Sequence, residues 1–137
     1  MSNIKIAGEE IEILQCFPII KQLRPHLTEQ AFIKQVQRQR VKYGYTLCYL
    51  EDLGKLQCVA GFRISECLCD GKYLYVDDLV TDELQRSLGY GEKVFEWLVN
   101  YARVNGCNEI GLESGVQRFA AHRFYMKQRM RISSSVA

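Results

Sequence analysis

The chain contains 137 residues, of which 47% are hydrophobic and 25% charged, and its formal net charge is +2. This length predicts one domain spanning residues 1–137, large enough to bury a core without metal or disulfide crosslinks. So small a net charge provides no general field for nucleic acid, and no apolar run approaches the roughly 20 residues that cross a bilayer. Because the N-terminal residues also lack the basic and apolar regions of a secretory signal, we expect a cytoplasmic protein with no nucleic-acid or membrane partner.

The six cysteines do not form a C-x-x-C motif, and the closest pair, Cys67 and Cys69, is separated by one residue. Several of them lie in apolar segments, where cysteine usually behaves as a small buried hydrophobe. The chain has two histidines, His26 and His122. The sequence therefore predicts neither a disulfide framework nor a metal site.

The N-terminal part of the chain alternates between two kinds of pattern. Glu9 to Leu14 alternates acidic and apolar residues, which predicts a short strand with one wet face. Helical character follows from Cys16 to Leu27, with Pro18 tolerated in the first turn and Pro25 ending the helix before it. A second helix is predicted to begin at Thr28, a typical N-cap residue.

The predicted second helix has two different faces. One face carries residues spaced to pack against a core, namely Ala31, Phe32, Val36 and Gln39. The opposite face carries three cations, Lys34, Arg38 and Arg40. These cations indicate either a solvated helix surface or one wall of a substrate cleft.

A strand-like period begins at Tyr45 and predicts an antiparallel meander. The first two strands, Thr46–Leu50 and Leu56–Ile64, are joined by a turn that contains Gly54. A second turn, at residues 69–72, leads to a third strand, Tyr73–Val80.

A glycine-rich loop and a helix follow the third strand. The loop contains Arg86-Ser87-Leu88-Gly89-Tyr90-Gly91, and the helix has a buried stripe that includes Val94 and Leu98 and closes at Gly106. Backbone N–H groups at such a helix N-terminus favour an anion such as phosphate. A further strand, Glu109–Ser114, is predicted to be parallel to the third strand, because the helix between them would be a crossover. A last helix, Gln117–Gln128, leaves residues for at most one short edge strand.

Two motifs in this second half occur in a diagnostic order. Arg86 to Gly91 fits the pattern Arg/Gln-x-x-Gly-x-Gly/Ala after a strand, and residues 121–127, AHRFYMK, fit Ala-x-x-Phe-Tyr-x-Lys on a later helix. Both motifs resemble those of the GNAT-type N-acetyltransferase superfamily. A dinucleotide-binding fingerprint would need a third glycine where Val94 stands, and a P-loop would need Gly-Lys-Ser/Thr, which this segment lacks.

The resemblance implies the α+β fold of that family, with an antiparallel meander and a parallel strand pair flanked by helices. It also implies acetyl-CoA as the acyl donor and a primary amine of a small molecule or peptide as the acceptor. Main-chain amides of the matching loop would hold the pyrophosphate, and main-chain groups of the preceding strand would pair with the pantetheine. The loop residues are Arg86, Ser87, Leu88, Gly89, Tyr90 and Gly91, and the strand residues are Leu79, Val80 and Thr81.

The resemblance also implies catalytic roles. Tyr125 matches the family tyrosine proposed to protonate the departing thiolate, and a phenol carries a proton at neutral pH. Asp77 and Asp78 lie where some members place an acidic pair facing the acceptor, a pair that would favour a cationic amine such as a polyamine. Because neighbours on a strand point to opposite faces unless a bulge intervenes, we expect one of the two to line the cleft. Asp77 is our candidate for the base, Asp78 and Glu113 are the alternatives, and for His122 we expect a structural role.

The sequence departs from the family pattern at Ser87, Arg118 and Arg129, where many members have Gly, Asn and Gly. The chain also ends seven residues after Met130, which predicts a shortened C-terminal hairpin. Either the missing wall of the acceptor site would then be supplied by a second copy of the chain, in a homodimer, or the site would be unusually open, or activity would be reduced. Two functions follow from this: an N-acetyltransferase that acts by direct transfer, or a non-catalytic acyl-CoA-binding or regulatory module of the same fold.

Overall fold

The computed structural model of the protein describes residues 3–85, 88–113 and 131–135, with the backbone alone at residues 113 and 131–135. The helices and strands of these residues are β1 (Asn3–Ile6), α1 (Glu10–Leu23), α2 (Glu29–Tyr43), β2 (Thr46–Asp52), β3 (Lys55–Cys67), β4 (Gly71–Thr81), α3 (Tyr90–Val104), β5 (Glu109–Glu113) and β6 (Arg131–Ser135). The strands form one sheet in the order β1-β2-β3-β4-β5-β6. Strands β1 to β4 are antiparallel, whereas β4, β5 and β6 are parallel to one another. The mixed α+β sheet expected from the resemblance is confirmed.

The sheet separates two hydrophobic cores. On one face, α3 packs through Val94, Leu98 and neighbouring residues against even-numbered residues of the meander, such as Phe62 and Val76. On the other face, α1 and α2 cover odd-numbered residues, among them Val59. Apolar residues of the meander therefore enter one core or the other by alternation along each strand, and the alternation shifts at the register slips at Leu50/Glu51 and Gly61/Phe62.

Helix α1 corrects the predicted strand at Glu9–Leu14. This segment begins a helix, and the edge strand is Asn3–Ile6 instead. Glu9 and Glu12 form a capping box, in which each side chain accepts a hydrogen bond from the other residue's backbone N–H. The buried residues that follow, which include Ile13, Cys16, Phe17 and Ile20, have the helical spacing. Six alternating residues are compatible with the two-residue period of a strand and with the 3.6-residue period of a helix. The capping box and the longer apolar stripe favour the helix.

Pro18 and Pro25 have different effects on α1. Pro18 lies inside the helix and not in its first turn as predicted, so that the Leu14 carbonyl lacks the N–H donor found four residues later in a regular helix. Pro25 acts as predicted: the helix ends at Leu23, and Arg24 leaves the helical conformation with φ −122° and ψ 70°.

Helix α2 confirms the predicted N-cap. The Thr28 hydroxyl accepts a hydrogen bond from the Ala31 N–H at 3.4 Å. Phe32 and Val36 are buried, whereas Ala31, which was predicted on the same face, is exposed. The three cations Lys34, Arg38 and Arg40 are all exposed.

The meander and the crossover also agree with the sequence. The strands β2, β3 and β4 pair in succession, and β5 pairs with β4 in parallel through Tyr73–Glu109 to Val76–Leu112. Gly106, with φ 77°, follows the end of α3. The short edge strand is β6, which pairs directly with β5. The predicted helix at Gln117–Gln128 lies outside the described residues.

The cysteines follow the expectation of buried hydrophobes in four of six cases. Cys16, Cys48, Cys58 and Cys107 are buried, Cys67 is half-buried and Cys69 is exposed, and all are free thiols. Burial raises the pKa of the Cys16 thiol to about 12 and that of the Cys58 thiol to about 11. Both therefore remain protonated at neutral pH.

Within the described segments of the chain, no helix combines the length and the apolar character needed to cross a bilayer.

Candidate active site

The candidate site lies where β4 and β5 part. Their parallel pairing ends at Val76 and Leu112, yet β4 continues to Thr81 along β3. Beyond Val76, the edge of β4 that faced β5 is therefore not paired with β5. The backbone groups of Leu79, Val80 and Thr81 lie on this stretch, which has the form required for an extended ligand to add as a strand.

A β-bulge opens at the same point. Gly61 pairs with Asp78 and Phe62 with Val76, so that Asp77 is an extra residue on β4. Packing confirms the slip in alternation: Val76 and Leu79, three residues apart, both contact the core beneath α3. Val80 instead lies in the core beneath α1 and α2.

The bulge places both acidic side chains on the α1 side of the sheet. Asp78 contacts Tyr45, a member of the core on that side, and Asp77 contacts Arg63. Arg63 stands between Phe62 and Ile64, which both face the opposite core. The expectation that only one of the two acids lines the cleft assumed a regular strand, in which neighbouring side chains point to opposite faces. The bulge removes that assumption, and both acidic side chains lie on the same face.

Asp78 is held by two elements distant in sequence. One carboxylate oxygen accepts a hydrogen bond from the Tyr45 hydroxyl at 2.8 Å, and the other accepts from Arg24 Nε at 3.0 Å. Arg24 also donates from Nη2 to the Asp77 carbonyl at 3.3 Å. Burial, and then the charge of Asp78, raises the pKa of Tyr45 well above its ordinary value, so the phenol keeps the proton that it donates.

Gly61 makes room for Tyr45. A Cβ atom at this position would overlap the Tyr45 hydroxyl and ring. Tyr45 itself is 4% exposed, and in a close-packed interior its ring could move only by displacing its neighbours. Glycine is therefore required here by the close approach of a side chain.

Asp77 makes a two-point ion pair with Arg63. Its two oxygens accept from Nε at 2.7 Å and from Nη2 at 2.8 Å. The hydrogen bond to Asp77 raises the pKa of Arg63 further, so the guanidinium stays charged. The guanidinium carbon also lies 5.4 Å from the centre of the Tyr75 ring, which helps fix its orientation.

The N-terminus of α3 stands beside the end of β4. Gly89 is its N-cap with φ 80°, a left-handed conformation that favours glycine. A Cβ at Gly91 would lie 3.2 Å from Thr81 Oγ1, so the loop and the strand end are in close contact. The first turn of the helix presents N–H groups without intrahelical partners toward this region.

Tyr90 anchors the same turn. It is buried, and its hydroxyl donates to Asp52 at the end of β2 over 2.8 Å. This bond holds the pKa of the Asp52 carboxyl below its usual range and raises that of Tyr90. Because the folded-state pKa of Asp52 is lowered, the contribution of this carboxylate to stability is complete at neutral pH and is lost as the pH falls through the lowered value.

Several predicted site residues lie outside the described segments: Arg86, Ser87 and Tyr125, and likewise the side chain of Glu113. His122, for which a structural role was predicted, also lies outside them. Among the described ones, the strand residues lie together at the gap: Asp77, Asp78, Leu79, Val80 and Thr81. The loop residues lie at the start of α3, where Gly91 adjoins Thr81 and Leu88 is exposed: Leu88, Gly89, Tyr90 and Gly91.

Sequence reasoning missed Tyr45, Gly61, Arg24 and Arg63. An isolated glycine within a strand is a known sign of a bulge or a close approach, so Gly61 carried a readable signal. The others carried none, because their partners lie 14 to 54 residues away along the chain.

Comparison with known proteins identifies the family. The sequence model of the acetyltransferase (GNAT) family matches residues 11–129, and the chain belongs to that family. An uncharacterized N-acetyltransferase of Bacillus subtilis (strain 168), YhdJ, is 30% identical over 125 residues, which are 91% of this chain and 88% of that protein.

Solved structures share the fold. A putative acetyltransferase from Agrobacterium tumefaciens strain C58 superposes with a TM-score of 0.75 at 22% identity, covering 98% of this chain and 96% of that one. A predicted acetyltransferase from Clostridium acetobutylicum, solved with acetyl-CoA, has a TM-score of 0.68 at 15% identity and covers 100% of this chain and 94% of that one.

We expect Gly61→Ala to destabilise the protein by about 1–3 kcal/mol, because the new methyl group overlaps a buried ring. The free energy of unfolding in urea measures this. Gly8→Ala is the matched control, since a Cβ there has no heavy atom within 4 Å. Equal unfolding midpoints for the two variants would show that Tyr45 yields freely.

Proposed function

We propose that the protein transfers an acetyl group from acetyl-CoA to a primary amine of a small molecule or peptide, without a covalent enzyme intermediate. The observation that carries this proposal is the gap between β4 and β5 beside the α3 N-terminus. In a chain of this family, that gap offers a strand edge for the pantetheine and backbone donors for the pyrophosphate. The neighbour from Clostridium acetobutylicum, solved with acetyl-CoA, supports the choice of donor.

The residues present fit an acyl-CoA. The strand edge at Leu79 to Thr81 can pair with the amide groups of a pantetheine arm, and Gly89 and Gly91 permit close approach of phosphate to the backbone. When bound, acetyl-CoA supplies a thioester whose acetyl carbon exchanges its bond to sulfur for a bond to the amine nitrogen.

The amine must lose a proton before it can act as a nucleophile. We assign this proton to Asp77, directly or through water. Both oxygens of Asp78 are already held, by Tyr45 and Arg24, and its side chain is 15% exposed. Both oxygens of Asp77 are also held, but by one residue, Arg63, and its side chain is more exposed, at 26%. Asp78 in this assignment fixes the shape of the bulge.

The leaving thiolate needs a proton, and we assign its source to the Tyr125 phenol. Support for this assignment comes from the motif at residues 121–127 alone, since Tyr125 lies outside the described residues.

A non-catalytic acyl-CoA-binding module is the second candidate. It is favoured by the engagement of both acidic side chains in ion pairs with arginine. Such a protein would bind acetyl-CoA and release no CoA with any amine.

We expect Tyr125→Phe to lower kcat by about 100-fold while the Kd for acetyl-CoA stays unchanged, because a general acid acts in the transition state. Release of CoA thiol with an amine panel gives kcat, and calorimetric titration gives the Kd. Tyr43→Phe, at a residue 65% exposed, is the control and should match wild type. Unchanged turnover in Tyr125→Phe would remove this tyrosine from the mechanism. Binding without thiol release in wild type would favour the second candidate.

We expect Tyr90→Phe to raise the Kd for acetyl-CoA about threefold to tenfold with little change in kcat, because the loop loses its bond to a charged carboxylate. Asp52→Asn should have a smaller effect, since an amide oxygen still accepts from the phenol. Calorimetric titration at neutral pH compares both with wild type. If Tyr90→Phe binds acetyl-CoA as wild type does, the loop does not depend on this anchor.

A further inference from the structure

The ion pairs change the electrostatic character expected of the acceptor site. Asp77 and Asp78 alone would make a negatively charged cleft suited to a polyamine. Each is paired with an arginine, Arg63 and Arg24 respectively, so the formal charges of these four side chains cancel. The reason for expecting a polyamine is thereby removed.

The exposed part of each pair is the cation. The Arg24 side chain is 35% exposed against 15% for Asp78, and the Arg63 side chain is 39% exposed against 26% for Asp77. In both ion pairs the guanidinium is therefore the more accessible partner.

The Arg63 guanidinium has N–H groups beyond those that bind Asp77, and these suit a second oxyanion. A guanidinium has five N–H groups in a planar fork, and the bonds to Asp77 use one on Nε and one on Nη2. The ion pair and the Tyr75 ring fix the plane of the group, so that little side-chain entropy is lost when a ligand binds. A carboxylate or phosphate fits such a fork better than any neutral group.

We propose that the acceptor is an amine that carries an anionic oxygen group, a carboxylate or a phosphate, on the same molecule, and that Arg63 binds this group. The inference rests on the proposed acetyl transfer. Asp77, adjacent to Arg63, then binds the ammonium group of the acceptor. The two members of one ion pair thus bind the two opposite charges of the acceptor. Arg24 holds the bulge through Asp78 and the Asp77 carbonyl and is a positioning residue.

The test compares acceptors that differ only in the anion. L-lysine against 1,5-diaminopentane tests a carboxylate, and glucosamine 6-phosphate against glucosamine tests a phosphate. With acetyl-CoA saturating, release of CoA thiol gives kcat/KM for each. We expect the anionic member of at least one pair to be preferred by about tenfold or more. Equal or greater kcat/KM for the members that lack the anionic group, in both pairs, would overturn the inference.

Variants assign the preference to Arg63. Arg63→Gln should abolish it, and Arg63→Lys, which keeps the charge and loses the fork, should retain part of it. Lys42→Gln is the matched control, because it removes an exposed cation from the end of α2 and should leave the preference intact. A preference that survives in Arg63→Gln, with its melting temperature unchanged, would exclude Arg63 as the anion site.

Binding separates this inference from the proposed function. Calorimetric titration of the same four amines into the CoA-saturated protein needs no turnover. Tighter binding of an anionic member without thiol release would support the inference and contradict acetyl transfer. Thiol release with equal preference within each pair would support acetyl transfer and contradict the inference. No difference in binding within either pair, in the absence of turnover, would overturn both.

Discussion

The extra residue in β4 is the constraint on which the rest of the site depends. Opposite Gly61 and Phe62, β4 accommodates Asp77 between two regular stretches of ladder. The bulge coincides with the end of the parallel pairing to β5. Within three residues, therefore, β4 acquires the bulge, loses β5 as its neighbour and directs two acidic side chains to one face of the sheet. The hydrogen bond from Tyr45 to Asp78 holds this irregular backbone in place. Gly61 leaves the space that the Tyr45 ring needs to make that bond.

Asp77 and Asp78 have different partners and different exposure. Asp78 joins the exit of α1 to the sheet through Arg24, and it joins the start of β2 to β4 through Tyr45. Asp77 is bound by a neighbour on the adjacent strand and stays more exposed. Two neighbouring residues of the same type therefore differ in environment, because the partners and the depth of burial decide which carboxylate joins distant elements and which stays accessible.

Much of the fold follows from local patterns. The N-cap at Thr28, the meander and the stripe of α3 each depend on residues close together in the sequence, and all were predicted. The strand predicted at Glu9–Leu14 was wrong because six residues fit both periods, although the capping glutamates Glu9 and Glu12 were readable. The partners of the acidic pair could not be predicted, since they depend on a register slip and on side chains brought together from three other elements.

The bulge also sets one position, Asp77, apart from the packing of the two cores. On either side of Asp77 the ladder keeps its alternation: Phe62 opposite Val76 faces one core, and Gly61 opposite Asp78 faces the other. Removal of Asp77 alone would join these stretches as a regular strand, with Leu79 and Val80 still directed into the cores that they now occupy. The sheet thus carries one residue that its own packing does not require. Exchange of that residue would alter the charge beside the gap while the alternation that serves both cores stays as it is.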